Sequence, residues 1–309
     1  MFTAFFADPS NENCISSDYS FEDTVLNTMM QNVEIQDRFI YLINMYRIIV
    51  DCSDDFSRYK VEQKRYFWKV NKYLLNYVNA VYSFKEYIEN CYGKESEVNK
   101  IADKYYRQTK WYTFLCNYRN RIIHQSAVIK DYDLNSGNVY IDLDELIEGT
   151  RQQIESSGKG KKNGEQFIAF VHSQFPSTLL IGEHHFIGAK QMLEKVNAEI
   201  KDMVNEVFLH LYETEVKQCF EWFLSMTLQN KEEKYLSTYI IQDGTRKNFQ
   251  TNFYLEDYAV NIMFTIGKGF DITRKIIDFF KTAGYDYFYT QNCDLDALEE
   301  ALDVPENLA

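Results

Sequence analysis

Between Pro9 and Gly93 the chain has neither proline nor glycine, and its 309 residues hold only three prolines and twelve glycines. The missing breakers exclude a turn-rich all-β segment there and predict long helices. Cysteine patterning is missing as well. Cys14, Cys52, Cys91, Cys116, Cys219 and Cys293 include no C-x-x-C pair, so reduced, partly buried thiols are expected rather than a disulfide framework or a zinc site. No long apolar run occurs: the most apolar window, residues 39–50, contains Asn44 and Arg47, and no membrane span is expected. The first eight residues lack the cationic start and apolar length of a signal peptide. A soluble, cytoplasmic chain without a membrane partner is expected. Net positive charge is also absent. A formal charge of -13 argues against a nucleic-acid coat protein working by broad phosphate neutralisation, but leaves room for a local basic site.

What is present is helical periodicity. Ser20-Phe21-Glu22-Asp23 reads as a capping box, followed by a helical apolar pattern from Val25 to Val50. The polar stretch 51–57 reads as a connection. A second helix places Val70, Leu74, Tyr77, Val78, Val81, Phe84 and Ile88 on one face and ends near Gly93. Two such helices imply an antiparallel hairpin. From Glu95 to Gln125 breakers are again absent, and a long helical segment carries Trp111, Phe114, Leu115, Tyr118 and Ile122 as one apolar stripe. Opposite that stripe project Asn120 and His124, with Thr113 and Asn117 beside them, while Arg119 lies on the flank.

Farther on, residues 127–132 and 139–143 read as a β-hairpin around Gly137, and 144–154 as a short helix with Asp144 at its cap. Residues 156–164 are the most linker-like in the chain. A second strand pair is expected at 167–171 and 178–181. A long amphipathic helix runs from Leu193 to Leu211 and on toward Leu228. Beyond it come a strand at 239–242 and a short helix at 272–282. The resulting expectation is an all-α fold with a four-helix core. Residues 1–230 would form the bundle, interrupted by a hairpin-and-linker insertion at about 127–188, and residues 231–309 a C-terminal α/β extension.

One stretch stands out chemically. Tyr118-Arg119-Asn120-Arg121-Ile122-Ile123-His124-Gln125 closes a run from Lys104 to Lys130 with six basic residues and no carboxylate, which implies a local positive field. Arginine, an adjacent amide and a histidine five positions after the arginine resemble the signature of HEPN domains. These are all-helical domains, many of them metal-independent ribonucleases. The resemblance covers roughly residues 20–230 and is sharp only at Arg119-Asn120 and His124. It implies a homodimer that brings two motif copies into one cleft. Within it, His124 would be general base or acid toward the ribose 2′-hydroxyl, Arg119 would grip the scissile phosphate, and Asn120 would orient the histidine or the phosphate by hydrogen bonding. Arg121 is expected to bind phosphate from its charge alone. RNA is the implied partner, together with a second copy and an antitoxin or regulatory protein, in a toxin–antitoxin or antiviral setting. No cofactor and no metal is implied. The alternative is a catalytically silent HEPN-like module that senses RNA or a nucleotide, or binds another protein.

Other signals in the chain are weaker. His184 and His185 are adjacent without a spaced partner, which reads as surface rather than metal site. Asp142 and Asp144 would share a face on a strand, as some metal-dependent nucleases need. A metal enzyme using His184, His185 and nearby carboxylates is the third option. Gly158-Lys159-Gly160 and Gly267-Lys268-Gly269 lack phosphate-loop spacing.

Overall fold

The computed structural model describes residues 2–5, 19–21, 23–59, 67–122, 129–133, 138–157, 161–175, 179–181, 183–228, 240–243, 255–266, 270–285, 287–288 and 293–298. In chain order come strands β1 (Phe2–Phe5) and β2 (Tyr19–Phe21), then helices α1 (Asp23–Arg58), α2 (Phe67–Tyr92), α3 (Glu97–Gln108) and α4 (Lys110–Ile122). Strands β3 (Ile129–Asp133) and β4 (Asn138–Asp142) precede helices α5 (Leu143–Ser157) and α6 (Lys161–Gln174). Strands β5 (Leu179–Ile181) and β6 (His184–Gly188) lead into helix α7 (Ala189–Leu211). A π-helical turn, Tyr212–Val216, joins α7 to α8 (Lys217–Leu228). Strand β7 (Ile240–Asp243), helices α9 (Leu255–Ile266) and α10 (Asp271–Thr282), and strands β8 (Tyr287–Phe288) and β9 (Cys293–Asp294) complete the order. The chain is predominantly helical, as its periodicity predicts. No helix among the described residues is long and apolar enough to cross a membrane.

Contacts divide the chain into two compact units, Met1–Asn44 with Phe208–Ala309, and Met45–Val207, the division falling inside α1 and α7. In the first unit β1 sits between β2 and β7, antiparallel to both. Its helices close on aromatic side chains. Phe220 meets Tyr258 and Phe280 at 5.8 and 5.7 Å, and Phe39 meets Phe208 edge-on at 5.5 Å. The Tyr258 hydroxyl donates to the Gln36 carbonyl at 2.9 Å.

The second unit holds the motif. The predicted face of α2 is its buried face, with Val70, Leu74, Tyr77, Val78, Val81, Phe84 and Ile88 all within 2 % of full burial. A polar relay crosses the core. The Tyr77 hydroxyl donates to Asn197 at 2.7 Å, and the Asn197 amide donates to the Ser53 hydroxyl at 2.6 Å. The antiparallel sheet runs β3-β4-β6-β5, so the two strands expected within 127–143 pair with each other as half of a four-stranded sheet. Asn71 of α2 fixes its start, donating to the Ile129 carbonyl and accepting from the Ile129 N–H at 2.9 Å.

The structure corrects several expectations. Residues 51–57 are not a connection: α1 runs through them because Ser53 and Phe56 bury, while Arg47–Asp51 and Asp54–Arg58 pair on the exposed side at i, i+4. Ser20 is in strand β2 and the helix starts at Asp23, so it is not the cap. The expected single helix is two, α3 and α4, broken at Thr109. This residue is extended (φ -94, ψ 149) and returns both its N–H and its hydroxyl to the Tyr105 carbonyl. Residues 167–171 are helix, not strand. Gly164, Phe167 and Val171 bury at spacings of three and four, a helical rhythm that a short apolar run conceals. β5 pairs instead with β6.

Candidate functional site

α4 is aimed by residues far from it in sequence. Its first N–H groups, on Trp111 and Tyr112, donate to the Glu199 carboxylate of α7 at 3.0 and 2.7 Å. A carboxylate at a helix N-terminus satisfies orphan donors and complements the dipole. Phe114 and Tyr118 then stack on each other at 5.4 Å, and Phe114 reaches Phe167 and Phe175 beside them.

The buried surface of α4 is wider than the apolar stripe. Tyr112 and Cys116 bury as well, at 0 and 6 % exposure, and Arg119 follows them on that side at helical spacing. The Arg119 guanidinium carbon lies 3.6 Å from the centre of the Tyr82 ring of α2, a cation–π stack. Its Nε is buried with no hydrogen-bond partner among the described residues. One turn along α2, Lys85 sits over the Tyr106 ring at 4.0 Å and reaches Asp103 at 3.9 Å. Burial pushes the Cys116 thiol up to about 12, against smaller downward pulls from Lys85 and Arg119. It is therefore a packed thiol and no nucleophile.

The face expected to look outward is partly covered. The Asn117 amide donates to the Thr113 carbonyl at 2.8 Å, and the Thr113 hydroxyl donates to the Tyr106 carbonyl of α3. Asn120 and Arg121 occupy the last turn of the α4 backbone, and their side chains lie outside the described residues. His124 lies outside them too, between Ile122 and the anchored Ile129. Sequence spacing also overstated the local field, because α7 returns carboxylates to the basic run. Lys104 pairs with Glu206 at 3.0 Å. Burial, together with Glu206 and Asp202, pushes the Tyr105 phenol up to about 12.

A second cluster forms where β4 and β6 meet α5. Their register sets Asp142 opposite Phe186, which brings His184 and His185 beside the carboxylates. His184 Nδ1 lies 2.7 Å from Asp142 Oδ2, and His185 Nδ1 lies 2.9 Å from Asp144 Oδ2. The His185 backbone N–H also donates to Asp144, at 2.6 Å. Burial raises the Asp144 carboxyl, but the hydrogen bonds from His185 outweigh this and hold it below the usual carboxylate range. The cap of α5 is Asp142, which accepts the Glu145 N–H at 3.0 Å, and not Asp144 as the sequence suggested. The pair His184–His185 is thus not a bare surface pair. In sequence the Asp142–Asp144 spacing and the His184–His185 pair are two separate weak signals, and the register that joins them spans about forty residues.

A cavity of about 600 Å³ opens between Lys110, Trp111, Tyr140, Phe175, Phe186 and Lys190. It is at the opposite end of α4 from Arg119, about 14 Å along the axis at 1.5 Å per residue. No family model matches the chain, and no curated protein or solved structure shows significant similarity to it.

Proposed function

We propose that the chain is a HEPN-like, metal-independent endoribonuclease acting as a homodimer. Arg119 grips the scissile phosphate, His124 moves the proton of the ribose 2′-hydroxyl, and Asn120 and Arg121 help to hold substrate. In-line attack of that hydroxyl on phosphorus expels the 5′-oxygen and leaves a 2′,3′-cyclic phosphate and a 5′-hydroxyl, with no metal required. The observation that carries this reading is the state of Arg119. Its guanidinium is braced on Tyr82, and no carboxylate among the described residues pairs with it. A braced, unneutralised guanidinium keeps its donors for a phosphate. The helical surroundings and the anchored α4 are also what such a motif needs. A toxin–antitoxin or antiviral role fits that chemistry.

A second reading is a catalytically silent RNA, nucleotide or protein-binding module. It is favoured by the carboxylates that α7 places against the basic run, Glu199 and Glu206 among them, since these weaken an RNA grip. The test is cleavage of total RNA in EDTA by the parent, Arg119→Ala and His124→Ala, each first shown folded. The nuclease reading expects a loss of about 10²- to 10³-fold in each variant. RNA binding without cleavage selects the second reading. Equal cleavage by all three removes the assigned residues.

A further inference from the structure

Asp142, Asp144 and His184 each offer a donor atom, and the three donors all lie within 4.8 Å of one another. We propose that they form a binding site for a first-row divalent transition-metal ion, independent of the ribonuclease reading. Their placement comes from three different elements on one rigid frame. Asp142 ends β4, Asp144 opens α5 and His184 opens β6.

Both carboxylates are already oriented by a neighbour. The Glu145 N–H holds Asp142 through Oδ1, which leaves Oδ2 toward His184. The His185 N–H and ring hold Asp144 through Oδ2, which leaves Oδ1 unused by those bonds. Such outer hydrogen bonds are how proteins fix ligating groups. The Asp142 side chain is only 11 % exposed, while His184 is 53 % exposed. Two carboxylates this close repel, and a cation between them removes that cost. The exposed histidine side leaves open positions for water.

The donor set selects the class of ion. One imidazole nitrogen with two carboxylate oxygens suits zinc, manganese or iron(II), whereas magnesium and calcium favour all-oxygen shells. At metal–ligand distances of about 2.1 Å, adjacent ligands stand roughly 3.0–3.4 Å apart. The 2.7 Å between His184 and Asp142 therefore opens by a few tenths of an ångström on binding.

The test uses the full chain, stripped with EDTA and dialysed, titrated calorimetrically with Zn²⁺ or Mn²⁺, with Mg²⁺ and Ca²⁺ as controls. One equivalent of Zn²⁺ per chain is expected, bound more tightly than Mn²⁺ as the ordinary affinity order requires. The K-edge absorption should show nitrogen and oxygen neighbours only. Asp142→Asn keeps a competent helix cap, and His184→Gln leaves the fold alone. Each should weaken Zn²⁺ at least ~10-fold and shrink the Zn²⁺-dependent rise in Tm. Absence of saturable Zn²⁺ binding would overturn the proposal, leaving plain His–Asp pairs. So would sulfur neighbours, or binding unchanged in both variants. Because the proposed cleavage runs in EDTA, either reading can fail without the other.

Discussion

The end of α4 and the corner where β4 meets β6 place chemistry by opposite means. At α4 the proposed functional residues sit within a few positions of one another, and distant parts of the chain anchor the helix through Glu199 and Arg119 through Tyr82. At the corner the residues come from segments 42 apart in sequence, joined by strand register. A contiguous motif survives in the sequence as a pattern. A register-made cluster does not, because a one-residue slip would turn every side chain to the other face.

That contrast makes separate demands on stability. The largest expected effect is on the hub of α4: Phe114→Ala should cost about 3–5 kcal/mol in urea unfolding, since the ring is fully buried among three aromatics. Glu199→Ala should cost about 1–3 kcal/mol by orphaning the N–H groups of Trp111 and Tyr112, with Glu199→Gln recovering part of it. Tyr82→Leu should cost about 1 kcal/mol and lower cleavage by misplacing Arg119, whereas Tyr82→Phe keeps the ring and both properties. If Tyr82→Leu leaves cleavage untouched, the bracing of Arg119 is not functional. Tyr118→Phe has the opposite sign. Its hydroxyl is buried with no partner among the described residues, so its removal should be neutral or stabilise by up to about 1 kcal/mol. The smallest effect is at the corner: without metal, His184→Gln should stay within about 0.5 kcal/mol of the parent, as exposed substitutions usually do.

Much of the fold was legible because burial follows period. The α2 face, the β3–β4 strands, α5, α7 with its continuation through a π turn, β7 and α10 all fall where apolar spacing puts them. Several of the misreadings share one cause, that a tertiary partner overrode a local cue. Ser53 looked like loop until Asn197 met it. Thr109 broke a helix without glycine or proline, because Glu199 was waiting to start the next one. Asp144 looked like a cap, but His185 holds its carboxylate and Asp142 takes the helix. The basic run 104–130 contains no carboxylate in sequence, yet Glu206 arrives in space. Arg119 lies on the flank by spacing alone, and Tyr82 chooses the side.

The measurement that bears most directly on the nuclease reading is the chemistry of the ends made when the purified full chain meets RNA in EDTA. Mass spectrometry of the fragments should find 2′,3′-cyclic phosphates and 5′-hydroxyls, and Arg119→Ala should yield about 10²- to 10³-fold less of both. Fragments with 5′-phosphates and 3′-hydroxyls, or cleavage that stops when metal is removed, would contradict attack by the 2′-hydroxyl and with it the roles given to Arg119 and His124.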